Sequence, residues 1–260
     1  MIWKADSYPV HICGSVHILH KKQKKLIERY ENYLRSAEHI AFETDLTQSS
    51  LIDNTLLYYP SGIRIQNDIP NELYKKAKQL WDLYGIIGIE FDLLKPCTAA
   101  TWMFLNYAEK RGYNEANGID QALLTRAKKI DSKNLIQLED INAPLRAFDT
   151  ASKEEQIQYL ETVTCKLKDQ FRELETMIQC IIHSNIEWLR SYLENNLKLY
   201  PTLFNNLVIE RNRNWLPKLL DVIKLNQPVL IVVGALHCVG TSGLPNLLLQ
   251  KGIQFRLIED

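Results

Sequence analysis

The 260-residue chain has no excess of charge of either sign: 31 Lys and Arg balance 31 Asp and Glu. No global field therefore draws it to nucleic acid or to an anionic bilayer. The basic, aromatic-interleaved stripe of a nucleic-acid binder is also missing. The one basic cluster, Lys21, Lys22, Lys24 and Lys25, reads as a solvated helix start, with an anion or partner site as the alternative. Long hydrophobic runs are absent too. The longest, near residues 229–236, is far too short to cross a bilayer, so no membrane partner is expected. Nothing after Met1 has the apolar core or cleavage site of an export signal, and the expected compartment is the cytoplasm. An exported chain trimmed of its leader would read the same.

Cysteine is scarce. The five are Cys13, Cys97, Cys165, Cys180 and Cys238, an odd number with no C-x-x-C pair. That argues against a disulfide framework and against a structural zinc site. Cys13 and Cys238 each adjoin a glycine–histidine motif. They read as small buried hydrophobes, with a cysteine nucleophile as the alternative. Several motifs are absent as well. Without G-x-S-x-G a standard serine hydrolase is not expected. Without G-x-G-x-x-G or a P-loop the common nucleotide cradles are removed, and without H-E-x-x-H so is the usual helical zinc peptidase.

What is present centres on Val229-Leu230-Ile231-Val232-Val233-Gly234-Ala235-Leu236-His237. A short apolar run of this kind predicts a strand buried on both faces, as in a parallel sheet. Gly234 is expected to end it by taking a turn other residues resist. His237 then falls beyond the strand's C-terminal end, where open α/β sheets place ligands. Val10-His11-Ile12-Cys13-Gly14-Ser15-Val16-His17 repeats the arrangement near the N-terminus.

Between these ends, helical spacing of apolar residues marks 21–37, 71–84, Pro96 to Lys110 and 118–129. Short strands are expected at His39–Glu43, Asn134–Leu138 and Gln254–Ile258. Residues 47–69 are weakly patterned, with a turn at Tyr58–Gly62. Strand, helix and strand over 10–43 make a βαβ unit with parallel strands. Residues 152–197 predict at least two long helices, opened by a Ser152–Glu155 capping box, and a third follows over about 204–225. A short helix is expected near 243–251. The chain thus predicts one α/β domain over 1–260. Its central sheet is mainly parallel, or mixed, and flanked by helices. A large helical insertion, a subdomain or lid, covers about 150–225, and its 152–197 block suits a peptide-gripping lid, plain structural packing or a homodimer face.

In a mainly parallel sheet four strand ends converge. They carry His17, Glu43 with Asp45, Glu139 with Asp140, and His237. Two imidazoles and a carboxylate suit a first-row divalent ion with open positions, and a second carboxylate suits a general base. Gly-x-x-His also occurs by chance. Its significance here lies in two copies, each after a predicted buried strand. His11, His20, His39 and His183 have no such pattern and read as structural. Arg211 and Arg213 lie on a helix before the last strand. They read either as a solvated face or as an arginine turned inward to hold a carboxylate or oxyanion.

The order of these markers resembles the TraB/GumN family, related to the Tiki proteases and more distantly to the erythromycin esterase and ChaN-like group. The matching residues are Gly14-Ser15-Val16-His17, Phe42-Glu43-Thr44-Asp45, Leu94-Lys95-Pro96, Gly118-Ile119-Asp120 and Leu138-Glu139-Asp140. Further on come Glu154-Glu155-Gln156, Arg211-Asn212 with Trp215, and Gly234-Ala235-Leu236-His237 with Val239-Gly240 and Gly243-Leu244. Thr241-Ser242 departs from the acidic pair that often follows the closing motif. The resemblance implies a site of His17, Glu43 and His237, with Arg211 and Glu139 beside it. For Tiki-like members it implies a metallopeptidase using Mn2+ or Co2+. For the esterase branch it implies histidine-based hydrolysis without a firm metal requirement, and for TraB relatives action on, or capture of, a peptide pheromone. Three readings follow. In the first, His17, Glu43 and His237 bind a divalent ion, Glu139 orients or deprotonates water, Arg211 steadies the substrate, and a peptide or amide bond is hydrolysed. In the second, a metal-free His/Glu hydrolase acts on such a bond or on an ester. In the third, the same cleft binds a peptide or other small molecule without turnover.

Overall fold

The computed structural model describes residues 1–45, 50–130 and 132–258. Residues 47–49 of the weakly patterned stretch lie outside these. The strands are β1 (Ile2–Ala5), β2 (Val10–Ser15), β3 (Leu19–His20), β4 (His39–Phe42), β5 (Tyr113–Asn114), β6 (Asn134–Gln137), β7 (Val229–Gly234) and β8 (Phe255–Ile258). Six of them form one sheet in the order β6-β4-β7-β2-β1-β8, and β3 pairs with β5 as a small separate ribbon.

β7 lies inside the sheet, parallel to β2 on one side and to β4 on the other. Residues 229–233 are almost wholly buried, as expected of a strand with parallel neighbours and both faces covered. β6 extends the parallel set beside β4. β1 runs antiparallel to β2 and to β8, which makes the sheet mixed but mostly parallel. Two points differ from the sequence reading. Ile2–Ala5 is a strand in its own right, too short to show a pattern. And β2 and β4, expected as the halves of one βαβ unit, are parallel but not adjacent. The last parallel strand is inserted between them.

The helices are α1 (Lys24–Ser36), α2 (Asn71–Tyr84), α3 (Pro96–Glu109), α4 (Ile119–Ala127), α5 (Ala143–Asp149), α6 (Lys153–Ile182), α7 (Ile186–Leu199), α8 (Pro201–Phe204), α9 (Arg211–Lys224) and α10 (Leu244–Leu249). Leu26, Ile27, Tyr30 and Leu34 of α1 form the buried stripe that its spacing predicts. Pro96 opens α3 at a position where its missing N–H has no helical partner to lose. α6, broken at Lys166, packs against α2 and α3. Only half of the predicted capping box forms. Ser152 Oγ accepts the Glu155 N–H, but the Glu155 carboxylate turns away and accepts the Thr202 and Leu203 N–H groups instead. Those are orphan donors at the start of α8, so a buried acid caps a helix 47 residues away. Among the described residues no helix is long and apolar enough to cross a membrane.

Candidate active site

Each parallel strand delivers one group to the same sheet edge. Glu43 directly follows β4, Glu139 comes two residues after β6, and His17 two residues after β2. β7 ends at Gly234 and turns at once into a 3-10 turn, Ala235–Cys238, that carries His237. Because β7 lies between β2 and β4, His237 rises between the other two groups. α9 arrives from one side with Arg211, Asn212 and Trp215, all buried.

Gly234 has φ −54° and ψ 141°, a conformation open to any residue, so the expected backbone turn is not its reason. Its reason is space. A Cβ there would lie 3.3 Å from Glu43 Oε1, 3.5 Å from His237 Cδ2 and 3.9 Å from His17 Nε2. The site converges on that missing methyl. The bare backbone also lets the Gly234 N–H reach Glu43 Oε1 at 2.5 Å.

Arg211 binds both buried acids. Its Nη2 donates to Glu43 Oε2 at 2.5 Å and to Glu139 Oε1 at 2.6 Å, and its Nε reaches both Glu139 oxygens at 3.0 Å. Its Nη1 donates to the Leu207 carbonyl at 2.9 Å. Leu207 lies in a π-helical segment, Asn205–Glu210, that runs directly into α9. π-Helical turns are rare and concentrate at functional sites. Trp215 Nε1 completes Glu139 by donating to Oε2 at 2.9 Å. The inward arginine is thus Arg211. Arg213 stays exposed on Glu210.

The state of His237 follows from its neighbour. Asn212 Nδ2 faces two carbonyls, His237 O at 3.1 Å and Ser242 O at 2.8 Å, so that end of the amide is the NH2. Its oxygen then faces His237 Nδ1 at 2.7 Å and can only accept. Nδ1 therefore carries the proton, and the Nε2 lone pair points to the site. There it lies 3.9 Å from Glu43 Oε1 and 3.4 Å from Arg211 Nη1. Burial pulls the His237 pKa down to about 3, helped by Arg211 and His17 and opposed by Glu43. His237 is neutral at pH 7. Its ring packs on Trp215 at 4.5 Å.

His17 is held in the same way by a different partner. Nδ1 lies 2.7 Å from Asp120 Oδ2, leaving Nε2 on the Gly234 side. The Asp120 charge pushes His17 up to about 9 against the effect of burial. The ring is 55% exposed, so water screens part of that attraction. Burial alone would raise Glu43. Arg211, His237, His17 and the Gly234 N–H outweigh it and bring the carboxyl down to about 2. Glu139 moves the other way, upward, because burial outweighs Arg211.

The sequence-predicted residues His17, Glu43, Glu139, Arg211 and His237 therefore meet at one edge. Their acidic neighbours do not. Asp45 pairs with Lys128, and Asp140 turns out to Arg146. His11 packs on Tyr33, His20 caps the turn before α1, and His39 bonds Gln227. Burial raises the Cys13 thiol to about 12 and Cys238 upward as well, which leaves neither as a thiolate nucleophile at neutral pH. Two residues of the arrangement, Asp120 and Asn212, stand in the sequence only as members of the family markers, with no role read for them. Asp120 is 103 residues from His17, and Asn212 reads as one polar residue among several.

Two features bear on a metal. Both imidazoles have Nδ1 anchored by an oxygen and Nε2 turned inward, the outer-shell pattern that orients histidine ligands. Yet among the described residues no three His, Cys, Asp or Glu side chains stand together as a ready ion-binding group. Arg211 already fills the side of Glu43 away from Gly234.

Sequence comparison matches the TraB/PrgY/gumN family over residues 1–256. No curated protein and no solved structure matches the chain.

Proposed function

The chain belongs to the TraB/PrgY/gumN family, and on that premise we propose that it is a hydrolase of a peptide or amide bond, acting where His17, Glu43 and His237 meet. One observation carries the reading. Two imidazoles, each with its Nδ1 proton fixed by a buried or half-buried oxygen, turn their Nε2 atoms toward the space beside Gly234 and Glu43 Oε1.

The chemistry of this donor set fits a divalent ion, and the resemblance implies Mn2+ or Co2+. His17 Nε2, His237 Nε2 and Glu43 Oε1 would hold it. When bound, such an ion supplies a water of lowered pKa and polarises a carbonyl. The chain's own residues do the rest. Asp120 orients the His17 ring, which would give up its Nε2 proton to an ion, and Asn212 fixes the His237 tautomer. Glu43 stays ionised through Arg211 and the Gly234 N–H. Glu139 has both oxygens taken by Arg211 and Trp215, so its part is to hold the guanidinium rather than to move a water's proton. Arg211 Nη1 lies beside the reacting space and is placed to steady a substrate oxygen.

A second reading is favoured by that same Nη1, because a fixed cation already stands beside the reacting space and can take the negative charge that develops on a substrate oxygen. Here hydrolysis needs no ion. Neutral His237 takes the proton of an attacking water at Nε2, and the protonated His17–Asp120 pair returns one to the leaving group.

Manganese titration of the full chain, with digestion of a mixed peptide pool, separates the readings. In the first, wild type binds Mn2+, His17→Ala loses at least about tenfold in affinity, and chelation stops cleavage. Cleavage that survives exhaustive chelation but not His17→Ala selects the second. Peptide binding with no cleavage under either condition contradicts both, and leaves a binder.

A further inference from the structure

One cavity in the fold, of mixed apolar and polar lining, begins at Ile18, the residue that follows His17. It has a volume of about 460 Å³ and is lined by Ile18, Ile86, Trp102, Leu105 and Tyr113. That volume lies in the range of small-molecule sites. Its position follows from the small ribbon. His17 leads directly into Ile18 and β3, and β3 pairs with β5, so that Leu19 faces Asn114 and His20 faces Tyr113. The chain then returns through Glu115 and Ala116 to Gly118, which lies so close that a Cβ there would meet the His17 carbonyl oxygen at 2.1 Å. One wall of the cavity therefore starts at the residue after His17 and continues through Asn114 to Ala116. The opposite wall is α3, through Trp102 and Leu105.

The loop after α2 forms the rim. Ile86 lines the cavity, and the next residue, Ile87, is fully exposed to solvent. Leu83 on the last turn of α2 is also exposed. At this loop tip Ile87 covers nothing, and Ile86 behind it is partly buried against the hollow. Glu109 and Glu115 stand on the same lining, so an acidic group entering it would meet like charge. The amides of Asn106 and Asn114 supply donors and acceptors of the kind a peptide backbone needs.

We propose that this cavity is a substrate subsite that takes a large, uncharged apolar side chain of a peptide, next to the bond brought to His17. The inference rests on the hydrolase reading for its link to catalysis, but not for the binding itself. The enzyme then selects peptides with residues of leucine or phenylalanine size beside the cleaved bond and disfavours those with aspartate or glutamate there.

The test is a binding measurement that needs no turnover. The full chain is titrated by NMR with N-acetyl-leucine amide, N-acetyl-alanine amide and N-acetyl-aspartic acid amide. The leucine compound binds at least about tenfold more tightly than the alanine compound, since three more carbons leave water, and the aspartic acid compound is the weakest. Ile86→Asp, at an exposed loop, weakens the leucine compound by about tenfold or more. Leu105→Gln does the same, and because Leu105 also packs against the core its affinity is read below a lowered melting temperature, while Ile86→Asp melts close to wild type. Equal binding of the leucine and alanine compounds overturns the proposal. So does leucine binding that neither Ile86→Asp nor Leu105→Gln weakens, or no leucine binding at all. A chain that cleaves nothing yet shows the leucine preference keeps the subsite and loses the hydrolase.

Discussion

At the scale of residues, the site is held by one guanidinium between two acids. Arg211, Glu43 and Glu139 are all buried to about a tenth exposure or less in their side chains. Removing the cation leaves two carboxylates facing each other without compensation. Arg211→Met is therefore expected to cost about 3–5 kcal/mol, the range for breaking a buried ion pair. Adding Glu139→Gln removes one of the stranded charges and returns part of that loss. Urea denaturation of the two variants checks this, and equal stability for single and double variants would contradict it. Asn212 gives a second prediction. Its oxygen fixes the His237 proton on Nδ1, so Asn212→Ala releases the ring to the other tautomer. Nitrogen chemical shifts of His237 read this directly. A single Nδ1–H form surviving in the variant would show that something else orients the ring.

At the scale of elements, glycines decide how closely strand ends and turns approach. Gly234→Ala puts a methyl 3.3 Å from Glu43 Oε1, an oxygen on a movable side chain. The variant is expected to fold and to displace the carboxylate. Gly118→Ala meets the His17 backbone oxygen at 2.1 Å, which cannot give way without moving the chain. It is expected to lose several kcal/mol. Melting temperatures that rank the two the other way would refute the contrast. These elements were unevenly legible in the sequence. α2 reads from end to end because Leu73, Ala77 and Trp81 recur on one face. β7 reads because five apolar residues in a row, four of them β-branched and too few for a buried helix, suit a doubly covered strand. That β7 enters between β2 and β4 is not legible, since periodicity marks elements and says nothing of their pairing. The role of Asp120, seen in the sequence only as part of the Gly118-Ile119-Asp120 marker, is hidden for a related reason: it lies one residue inside α4, and only the tertiary approach of that helix to His17 gives it a partner. Glu155 shows the opposite failure. Its spacing matches a local motif, and the fold spends it on a distant helix.

At the scale of the whole molecule, the site links stability to pH. His237 titrates at 6.5 when unfolded and at about 3 when folded, so the unfolded chain binds more protons between those values. Glu43, about 2 when folded against 4.5, adds to the same trend. Stability from both is complete above pH 6.5 and is lost as pH falls toward 2. His17 acts oppositely. Raised from 6.5 to about 9, it stabilises fully below 6.5 and loses that contribution as pH rises through 9. Thermal melts in chelator should therefore peak near pH 6.5, with the alkaline limb flattened in Asp120→Asn. A limb that stays equally steep in that variant would remove the His17–Asp120 pair from the explanation. The central claim is that His17 and His237, far apart in the chain, form one hydrolytic centre. The measurement that tests it most directly is digestion of a mixed peptide pool, with and without Mn2+, by wild type, His17→Ala and His237→Ala, read by mass spectrometry. The account predicts defined cleavage products from wild type and a loss of about 100-fold or more in each variant, with folding retained. Undiminished products from either variant, or no products from wild type, would contradict it.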